Sequence, residues 1–281
     1  MLEQALVAED LLRLQDAFHR AADHCKGGMA ARCRQGYSAG GSFPPLRGQL
    51  DALPGHALMT APLRRSATTF RTYAANASDY FARHRDRKWN RKILRRFADC
   101  LPGPGPILDL GCGPGFDGSE LRNWDYHVVG LDRTREALHL AGQHNPGMYV
   151  CADMRALPLR GRFAGVWACA SLLHLEPEEM SDVLQRLSCL LLPEGVLYLS
   201  VKEGDGAEWD FTYGRDHPRW FTFWSSDGLD TALLQAGFEI RERDASIGSK
   251  TTWLRRMAVL TRCSAESTAR SQAARSDPRD A

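Results

Sequence analysis

Short apolar runs recur through the middle of the chain, and stretches with helical spacing separate them. The runs cover residues 106–110, 127–131, 148–151, 165–169 and 196–201. Their length and apolar character predict strands that are buried on both faces. Helical patterns fill the intervals at residues 117–123, 134–142 and 178–192. This alternation predicts an α/β fold in which a parallel sheet carries helices on both faces.

The last part of the pattern differs from the rest. Residues 227–236 have helical spacing, whereas residues 238–243 and 252–261 are two apolar stretches separated by a short loop. Parallel neighbours need a long crossover, so two strands joined by a short loop predict a hairpin. We therefore expect one antiparallel strand at the end of an otherwise parallel sheet.

Both ends of the chain lie outside this alternation. Residues 2–22 have apolar positions close to helical spacing, and residues 26–62 are rich in Gly, Pro, Arg and Ser, which is typical of a linker. Met59 precedes a stretch that resembles an ordinary N-terminus, so we expect the first 58 residues either to be dispensable or to result from a wrongly assigned start codon. We expect the main domain to span residues 63–262 and residues 263–281 to form a frayed tail.

Composition narrows the class of protein further. A chain of 281 residues with 43% hydrophobic residues can bury the core of one sizeable domain. The 36 Lys and Arg nearly balance the 34 Asp and Glu, so the overall charge of +2 gives no reason to expect a nucleic-acid or membrane partner. Eight scattered cysteines without a Cys-x-x-Cys pair argue against a structural metal. Acidic residues interrupt the N-terminal stretch where a signal peptide would need an apolar core, and no later apolar run is long enough to span a membrane. We therefore expect a cytoplasmic protein.

A glycine turn follows the first strand. The sequence ILDL leads into Gly111, Cys112, Gly113, Pro114 and Gly115 before a predicted helix. A strand, a glycine turn and a helix form a cradle for a nucleotide cofactor, because residues without a Cβ let the ligand approach the backbone. Gly113, Gly115 and Gly118 also satisfy the dinucleotide pattern G-x-G-x-x-G, so a nicotinamide or flavin dinucleotide must be weighed.

Three aspartates after the strands favour another cofactor. Asp109 would repel a pyrophosphate and attract the cationic groups of S-adenosylmethionine, although it can also cap the turn. Asp132, at the end of the second strand, is placed to accept both ribose hydroxyls of either cofactor, or to cap the helix that begins near Thr134. Asp153 follows the third strand, where it can accept the adenine amino group. Together these residues favour S-adenosylmethionine.

The chain resembles the class I S-adenosylmethionine-dependent methyltransferases, a Rossmann-like family, over residues 73–260. The resemblance is closest to bacterial small-molecule enzymes with a methyltransferase domain of the 11/25 type. It rests on six stretches in the order and spacing of that family: ILDLGCGPG, VVGLD, CADM, VWACASLLHL, LLPEGVLYLSVKEG and AGFEI. The resemblance implies a seven-stranded, mostly parallel sheet whose last strand is antiparallel.

The resemblance also implies which residues bind the cofactor. Gly111 and Gly113 contact the methionine part, Asp132 the ribose, and Asp153 with Met154 the adenine. The other cofactor-binding candidates are Tyr73, which lies on a helix over the cofactor, and Asp109, Cys112, Arg133 and Ala168. We interpret the Cys112 thiol as a packing group because this chemistry needs no thiol nucleophile.

Candidate substrate residues come later in the chain. His174 follows the fourth strand, where it either removes a proton from the acceptor or holds the loop by a hydrogen bond. Residues 210–224 form a predicted loop rich in aromatics, including Tyr213 and Trp220, together with His217. This segment is either a substrate wall or part of the core.

A basic run leaves a second function open. Residues 83–96 carry eight Lys and Arg, which either contact RNA or form the solvated face of a helix. The Asn-Pro-Pro-Tyr, Asp-Pro-Pro-Tyr and Pro-Cys motifs of nucleic-acid methyltransferases are absent from the sequence. We therefore predict in-line methyl transfer to a small molecule without a metal. An RNA or protein methyltransferase and an inactive cofactor-binding regulator are the alternatives.

Overall fold

The computed structural model describes residues 61–86, 90–248 and 251–261. The predicted helix at residues 2–22, the position Met59 and the predicted tail therefore lie outside the described residues, as do Arg87 and Lys88 of the basic run. The predicted linker reached residue 62, but residues 61 and 62 already belong to the first described helix.

The described elements alternate as the apolar pattern predicts. The helices are α1 (Ala61–Ala75), α2 (Ala77–His84), α3 (Arg91–Asp99), α4 (Phe116–Arg122), α5 (Arg135–His144), α6 (Pro177–Leu190) and α7 (Ser226–Gln235). The strands are β1 (Ile107–Leu110), β2 (Val128–Asp132), β3 (Met148–Cys151), β4 (Phe163–Cys169), β5 (Leu191–Glu203), β6 (Ala207–Asp210), β7 (Arg219–Trp224), β8 (Phe238–Ile247) and β9 (Thr252–Leu260). Two short 3-10 turns cover Met154–Ala156 and Leu172–His174.

Five strands form the parallel part of the sheet, in the order β3-β2-β1-β4-β5. The strand β9 pairs antiparallel with β5, and β8 pairs antiparallel with β9. This arrangement confirms the predicted mostly parallel sheet with an antiparallel last strand. The carboxyl ends of β1, β2 and β4 therefore meet along one edge, where ligands of such sheets bind.

A small hairpin stands beyond that edge. The strand β7 pairs antiparallel with β6 and parallel with Lys202 and Glu203 at the end of β5. At Lys202 the strand β5 has β9 on one side and β7 on the other. The pairing of β4 with β5 ends at Ser200, so β7 lies beside β5 where β4 has ended. The prediction of a loop over residues 210–224 is therefore wrong for residues 219–224, which form a strand.

The face of the sheet under α3 and α4 holds an apolar cluster. Its fully buried members include Phe97, Leu121 and Trp167, and the Trp167 indole stacks on Tyr198 with a centroid distance of 4.0 Å. The helix α3 turns Leu94, Phe97 and Ala98 inward and exposes its basic side chains. On the opposite face Leu108 and Leu110 of β1 are also fully buried, as expected for a sheet covered on both sides.

A buried carboxylate links α4 to this cluster. Asp117 is 8% exposed, and its Oδ2 accepts hydrogen bonds from the Trp167 indole at 2.9 Å and from the Asn90 amide at 3.1 Å. Buried donors need such partners because the water they lose is not replaced. Asp117 therefore fixes the start of α4, directly after the glycine turn, to the centre of the sheet.

We expect Asp117→Ala to lower the free energy of unfolding by about 3 kcal/mol, because it leaves two buried donors without their acceptor. Urea denaturation at pH 7 measures the effect. The matched control is Asp182→Ala at an exposed position of α6, for which we expect a change within about 0.5 kcal/mol. Equal effects of the two substitutions would contradict a structural role for Asp117.

Candidate functional site

The turn between β1 and α4 depends on glycine at specific positions. Gly111 and Gly115 have φ values of 73° and 76°, which side chains rarely adopt. A Cβ added to Gly111 would overlap the Cβ of Ser171, and one added to Gly115 would overlap the hydroxyl of Tyr149. Neighbouring elements therefore press directly on the backbone of the turn and hold its shape.

Asp132 holds the turn from the end of β2. Its Oδ2 accepts the Gly113 N–H at 2.8 Å and its Oδ1 accepts the Thr134 N–H at 2.7 Å. Burial raises the pKa of Asp132, and these backbone hydrogen bonds oppose the rise. Asp132 thus supports the start of α5, as the capping alternative expects. The Thr134 side chain and the Arg133 backbone also hydrogen bond to this carboxylate, and the ribose contact stays a prediction.

Asp109 lies beneath the turn. Its side chain is 4% exposed, and its Oδ2 accepts the Gly118 N–H at 3.1 Å. The carboxylate therefore caps the first turn of α4, as the alternative interpretation expects, and acts on a ligand above the turn through its charge. Asp117 adds a second buried carboxylate to the same helix start.

The Asp153 carboxylate is in contact with two arginines. Arg155 donates to both carboxylate oxygens, at 2.9 and 2.6 Å, and an Arg133 nitrogen lies 3.3 Å from Oδ2. Burial would raise the pKa of Asp153, but the bonds from Arg155 outweigh it and hold the pKa below its ordinary value. An adenine amino group would share this carboxylate with Arg155, a residue that the sequence analysis did not single out.

The first two helices lie over this edge of the sheet. Arg133 donates to the Ser66 hydroxyl at 2.8 Å and stacks over Phe70, both on α1. The Tyr80 ring on α2 lies 4.0 Å from a Cβ built on Gly113, whereas the Met154 side chain lies 3.6 Å from one built on Gly111. The structure therefore brings Arg133, Met154 and the glycine turn together.

Tyr73 and His174 are hydrogen bonded to each other. The Tyr73 hydroxyl lies 2.9 Å from His174 Nε2, and His174 Nδ1 lies 2.7 Å from the Trp220 carbonyl. A carbonyl only accepts, so Nδ1 carries the proton and Nε2 accepts from Tyr73. The Tyr73 hydroxyl also accepts from Arg219 at 3.2 Å. One hydroxyl thus joins α1, the turn after β4 and β7.

The surroundings of His174 keep it neutral. Burial lowers its pKa to about 4, and the positive charges of Arg219 and Lys202 act in the same direction, against the bond to the Trp220 carbonyl. Burial likewise raises the pKa of Tyr73, although Arg219 opposes the rise. Because Nε2 is taken by Tyr73, His174 reaches an acceptor only through that hydroxyl. Its role as a base stays a prediction.

The aromatic segment divides between the two faces of β7. Phe221 faces His174, on which it stacks with a centroid distance of 4.8 Å. The Trp220 ring faces the other way, between Trp209 and the Arg65 guanidinium, so only its backbone contacts His174. Tyr213 lies under Arg219 at 4.6 Å, and His217 is half-buried in the loop before β7. The Trp220 side chain therefore fits the alternative of a core position, and the substrate roles of Tyr213 and His217 stay predictions.

Two further candidates are less accessible than expected. Ala168 is fully buried within β4, where it pairs with Leu199, so its side chain is closed to a ligand, and the prediction that its neighbours line the pocket stays a prediction. The Cys112 sulfur lies 2.9 Å from a Cβ built on Gly130, and burial raises the pKa of its thiol well above the ordinary value. Both features fit the interpretation of Cys112 as a packing group.

The basic helix is engaged with its own neighbours. Arg91 pairs with Glu120 and Arg96 with Glu242, each at 2.8 Å, and Arg95 stacks over Trp124 at 3.7 Å. Such compensation is typical of a solvated helix face. Elsewhere in the described part of the chain, no helix is long and apolar enough to cross a bilayer, and no cluster of three potential metal ligands occurs.

A stretch of this chain matches a known protein family. Residues 107–195, from β1 into β5, match the family described as "Methyltransferase domain". A malonyl-[acyl-carrier protein] O-methyltransferase of Enterobacter lignolyticus is 30% identical over 157 residues, which cover 51% of this chain and 61% of that protein. A ubiquinone biosynthesis O-methyltransferase of Actinobacillus pleuropneumoniae is 28% identical over 105 residues, 34% of this chain and 44% of that protein. The chain thus matches less than two thirds of the length of either relative.

A solved structure extends the likeness in fold. The Burkholderia thailandensis 1,6-didemethyltoxoflavin-N1-methyltransferase, solved with 1,6-didemethyltoxoflavin and S-adenosylhomocysteine, superposes with a TM-score of 0.60. It is 22% identical, and the match covers 76% of this chain and 99% of that one. Together with the family match, this likeness confirms the class I methyltransferase fold predicted from the sequence.

We expect Gly115→Ala to destabilise the protein by more than the ~1–2 kcal/mol that a left-handed residue costs, because its Cβ also overlaps Tyr149. In a Tyr149→Ala background the cost should fall to that range. Gly142→Ala is the control, since nothing lies within 4 Å of a Cβ at that helical position. Urea denaturation of the four variants measures the cycle, and an unchanged cost in the double variant would exclude the overlap.

We expect His174 to make stability depend on pH. Its pKa is about 4 in the folded state and 6.5 ordinarily, so the unfolded chain takes up a proton first as the pH falls. Up to about 3 kcal/mol of stability, present above pH 6.5, is therefore lost as the pH falls towards 4. His174→Asn should remove this part of the dependence, whereas His139→Asn at an exposed position should not. Parallel pH curves for wild type and His174→Asn would count against a buried neutral imidazole.

Proposed function

The chain contains a class I methyltransferase domain, and on that premise we propose that the protein transfers the methyl group of S-adenosylmethionine to a small-molecule acceptor. The acceptor atom attacks the sulfonium methyl in line and S-adenosylhomocysteine leaves. The donor is already activated, so the protein contributes alignment and exclusion of water.

The start of α4 is the observation that carries this proposal. In dinucleotide sites the helix after the glycine turn binds a pyrophosphate at its N-terminus. Here Asp109 accepts the Gly118 N–H from beneath the turn and Asp117 lies buried in the same turn, so two carboxylates lie close behind that position. They oppose a pyrophosphate and favour a cationic ligand such as the sulfonium and ammonium of the methyl donor.

The residues present fit this donor. The Asp132 carboxylate stands beside the turn, where we propose that it accepts the ribose hydroxyls. Gly113 leaves its backbone open to the methionine part, because a Cβ built on it has only the Tyr80 ring within reach, at 4.0 Å. Tyr73 is our candidate for the group that touches the acceptor, because its hydroxyl is held between Arg219 and His174. His174 then acts as a positioning residue that orients this hydroxyl.

A small acceptor is supported by two observations. The basic helix α3 is the best candidate surface for RNA, but its Arg91 and Arg96 form ion pairs within the chain. The names of the relatives indicate acceptors of small size or carried on a small protein, such as a malonyl group or a ubiquinone precursor. The alternatives of an RNA or protein methyltransferase have no comparable contact in their favour.

Calorimetry with S-adenosylmethionine, S-adenosylhomocysteine and NAD tests the cofactor. We expect both sulfur compounds to bind and NAD to bind at least tenfold more weakly, a difference of ~1.4 kcal/mol. Asp132→Ala should weaken the binding of S-adenosylhomocysteine by about tenfold or more, because it removes the proposed acceptor for the ribose and leaves the Gly113 N–H without its partner. Asp182→Ala should leave this affinity unchanged. A preference for NAD would refute the proposal.

Incubation of cell extract with isotopically labelled methyl donor, with and without the protein, tests turnover. The proposal expects a labelled product of low molecular mass. Label in RNA or protein would point to the alternative acceptors, and cofactor binding without any labelled product would point to a regulator.

A further inference from the structure

Lys202 is a half-buried cation at the end of β5. Its side chain lies on the face of the sheet that carries Tyr198 and Ser200, and its Nζ lies 3.6 Å from the centre of the Phe221 ring. Within residues 61–86, 90–248 and 251–261 no carboxylate lies within 4.0 Å of this ammonium. Burial lowers the pKa of Lys202, as expected for a cation that has lost water and gained an aromatic ring but no carboxylate.

The nearest carboxylates have other partners or lie in solvent. Asp210 accepts from Arg219 at 2.6 and 3.2 Å and from the Thr212 hydroxyl at 2.8 Å. Glu208 occupies an exposed position of β6. Both attract Lys202 and Arg219 repels it. Asp210 is paired with Arg219 at 2.6 Å, so the Lys202 ammonium is the cation of this group that has no carboxylate in direct contact.

The same ring connects Lys202 to the reaction centre. Phe221 stacks on His174, whose Nε2 accepts from Tyr73, and it lies 5.0 Å from the Arg219 guanidinium. Lys202 and Arg219 are therefore two cations on one aromatic ring. Arg219 bonds the Tyr73 hydroxyl and is paired with Asp210, whereas Lys202 has no carboxylate partner. A protonated amine brought here would be repelled by the Lys202 ammonium, whereas an anion would be attracted to it.

We propose that the methyl acceptor is an organic carboxylate and that Lys202 is its counter-ion. The inference rests on the proposed function and names the substrate class of that site. The carboxylate oxygen forms a bond to the methyl carbon while the sulfur–carbon bond breaks and its electron pair stays on sulfur. The products are a neutral methyl ester and S-adenosylhomocysteine, and no proton moves.

Two further features agree with this class. An acceptor that is already ionised needs no strong base, and the neutral His174 beside Tyr73 is a weak one. Methylation also removes the negative charge, so the ester loses its attraction to Lys202 and leaves more readily than the acid binds. An aromatic or unsaturated acid suits the site because Tyr73, Tyr213 and Phe221 surround Arg219, and Phe221 also lies against Lys202.

Binding of benzoate, benzamide and benzylamine to the protein saturated with S-adenosylhomocysteine tests the proposal without turnover. We expect benzoate to bind at least tenfold more tightly than benzamide and benzylamine to bind most weakly. Lys202→Gln should abolish the preference for benzoate, and Lys202→Arg should retain most of it. Lys92→Gln, at an exposed position of α3, is the matched control and should behave as wild type.

The outcomes separate this inference from the proposed function. If S-adenosylhomocysteine fails to bind, the proposed function fails. If it binds to all variants but benzoate binds no better than benzamide, or binds equally to Lys202→Gln and wild type, the carboxylate inference is overturned while the methyltransferase proposal stands. Thermal unfolding of each variant shows whether a loss reflects misfolding, and Lys202→Arg must then restore benzoate binding.

Discussion

Backbone N–H groups in the glycine turn after β1 and at the start of α4 have no acceptor in the strand or the helix. Two aspartates accept the hydrogen bonds that these groups donate. Asp132 binds the Gly113 N–H from one side and Asp109 binds the Gly118 N–H from below. Both carboxylates come from ends of adjacent parallel strands, so the sheet fixes their separation. The turn is therefore shaped before any ligand arrives, and the helices above it pack on a settled surface.

The sheet could be predicted because its strands are short, apolar and separated by helical spacing. The residues that support the turn could be predicted for the same reason, since Asp109 and Asp132 stand at strand ends within a recognisable motif. The strand β7 could not. Both of its faces are covered, with Trp220 on one and Phe221 on the other, so it lacks alternation. Its position also depends on a distant partner, because the Trp220 N–H donates to Thr69 on α1.

The side chains beyond the motif could not be predicted either. Arg155, Lys202 and Arg219 are ordinary basic residues in the sequence, and only the fold places them beside Asp153, Phe221 and Tyr73. Arg155 and Arg219 each pair with an aspartate, whereas Lys202 lies against an aromatic ring. Buried carboxylates lie under the glycine turn, and the Lys202 ammonium lies at the end of β5, so the fold places charges of opposite sign at these two places.

The hydroxyl of Tyr73 ties this separation to the fold itself. It accepts from Arg219 on β7 and donates to His174 after β4, although it belongs to α1 at the start of the described chain. The Thr72 hydroxyl also donates to the Pro218 carbonyl, so a second hydrogen bond joins α1 to the residue directly before β7. The helix α1 therefore helps to position Arg219, because Tyr73 supplies both a ring and an acceptor for its guanidinium. The cation side of the proposed site is thus a product of tertiary packing, whereas the glycine turn is held by the ends of β1 and β2, two neighbouring strands of the sheet.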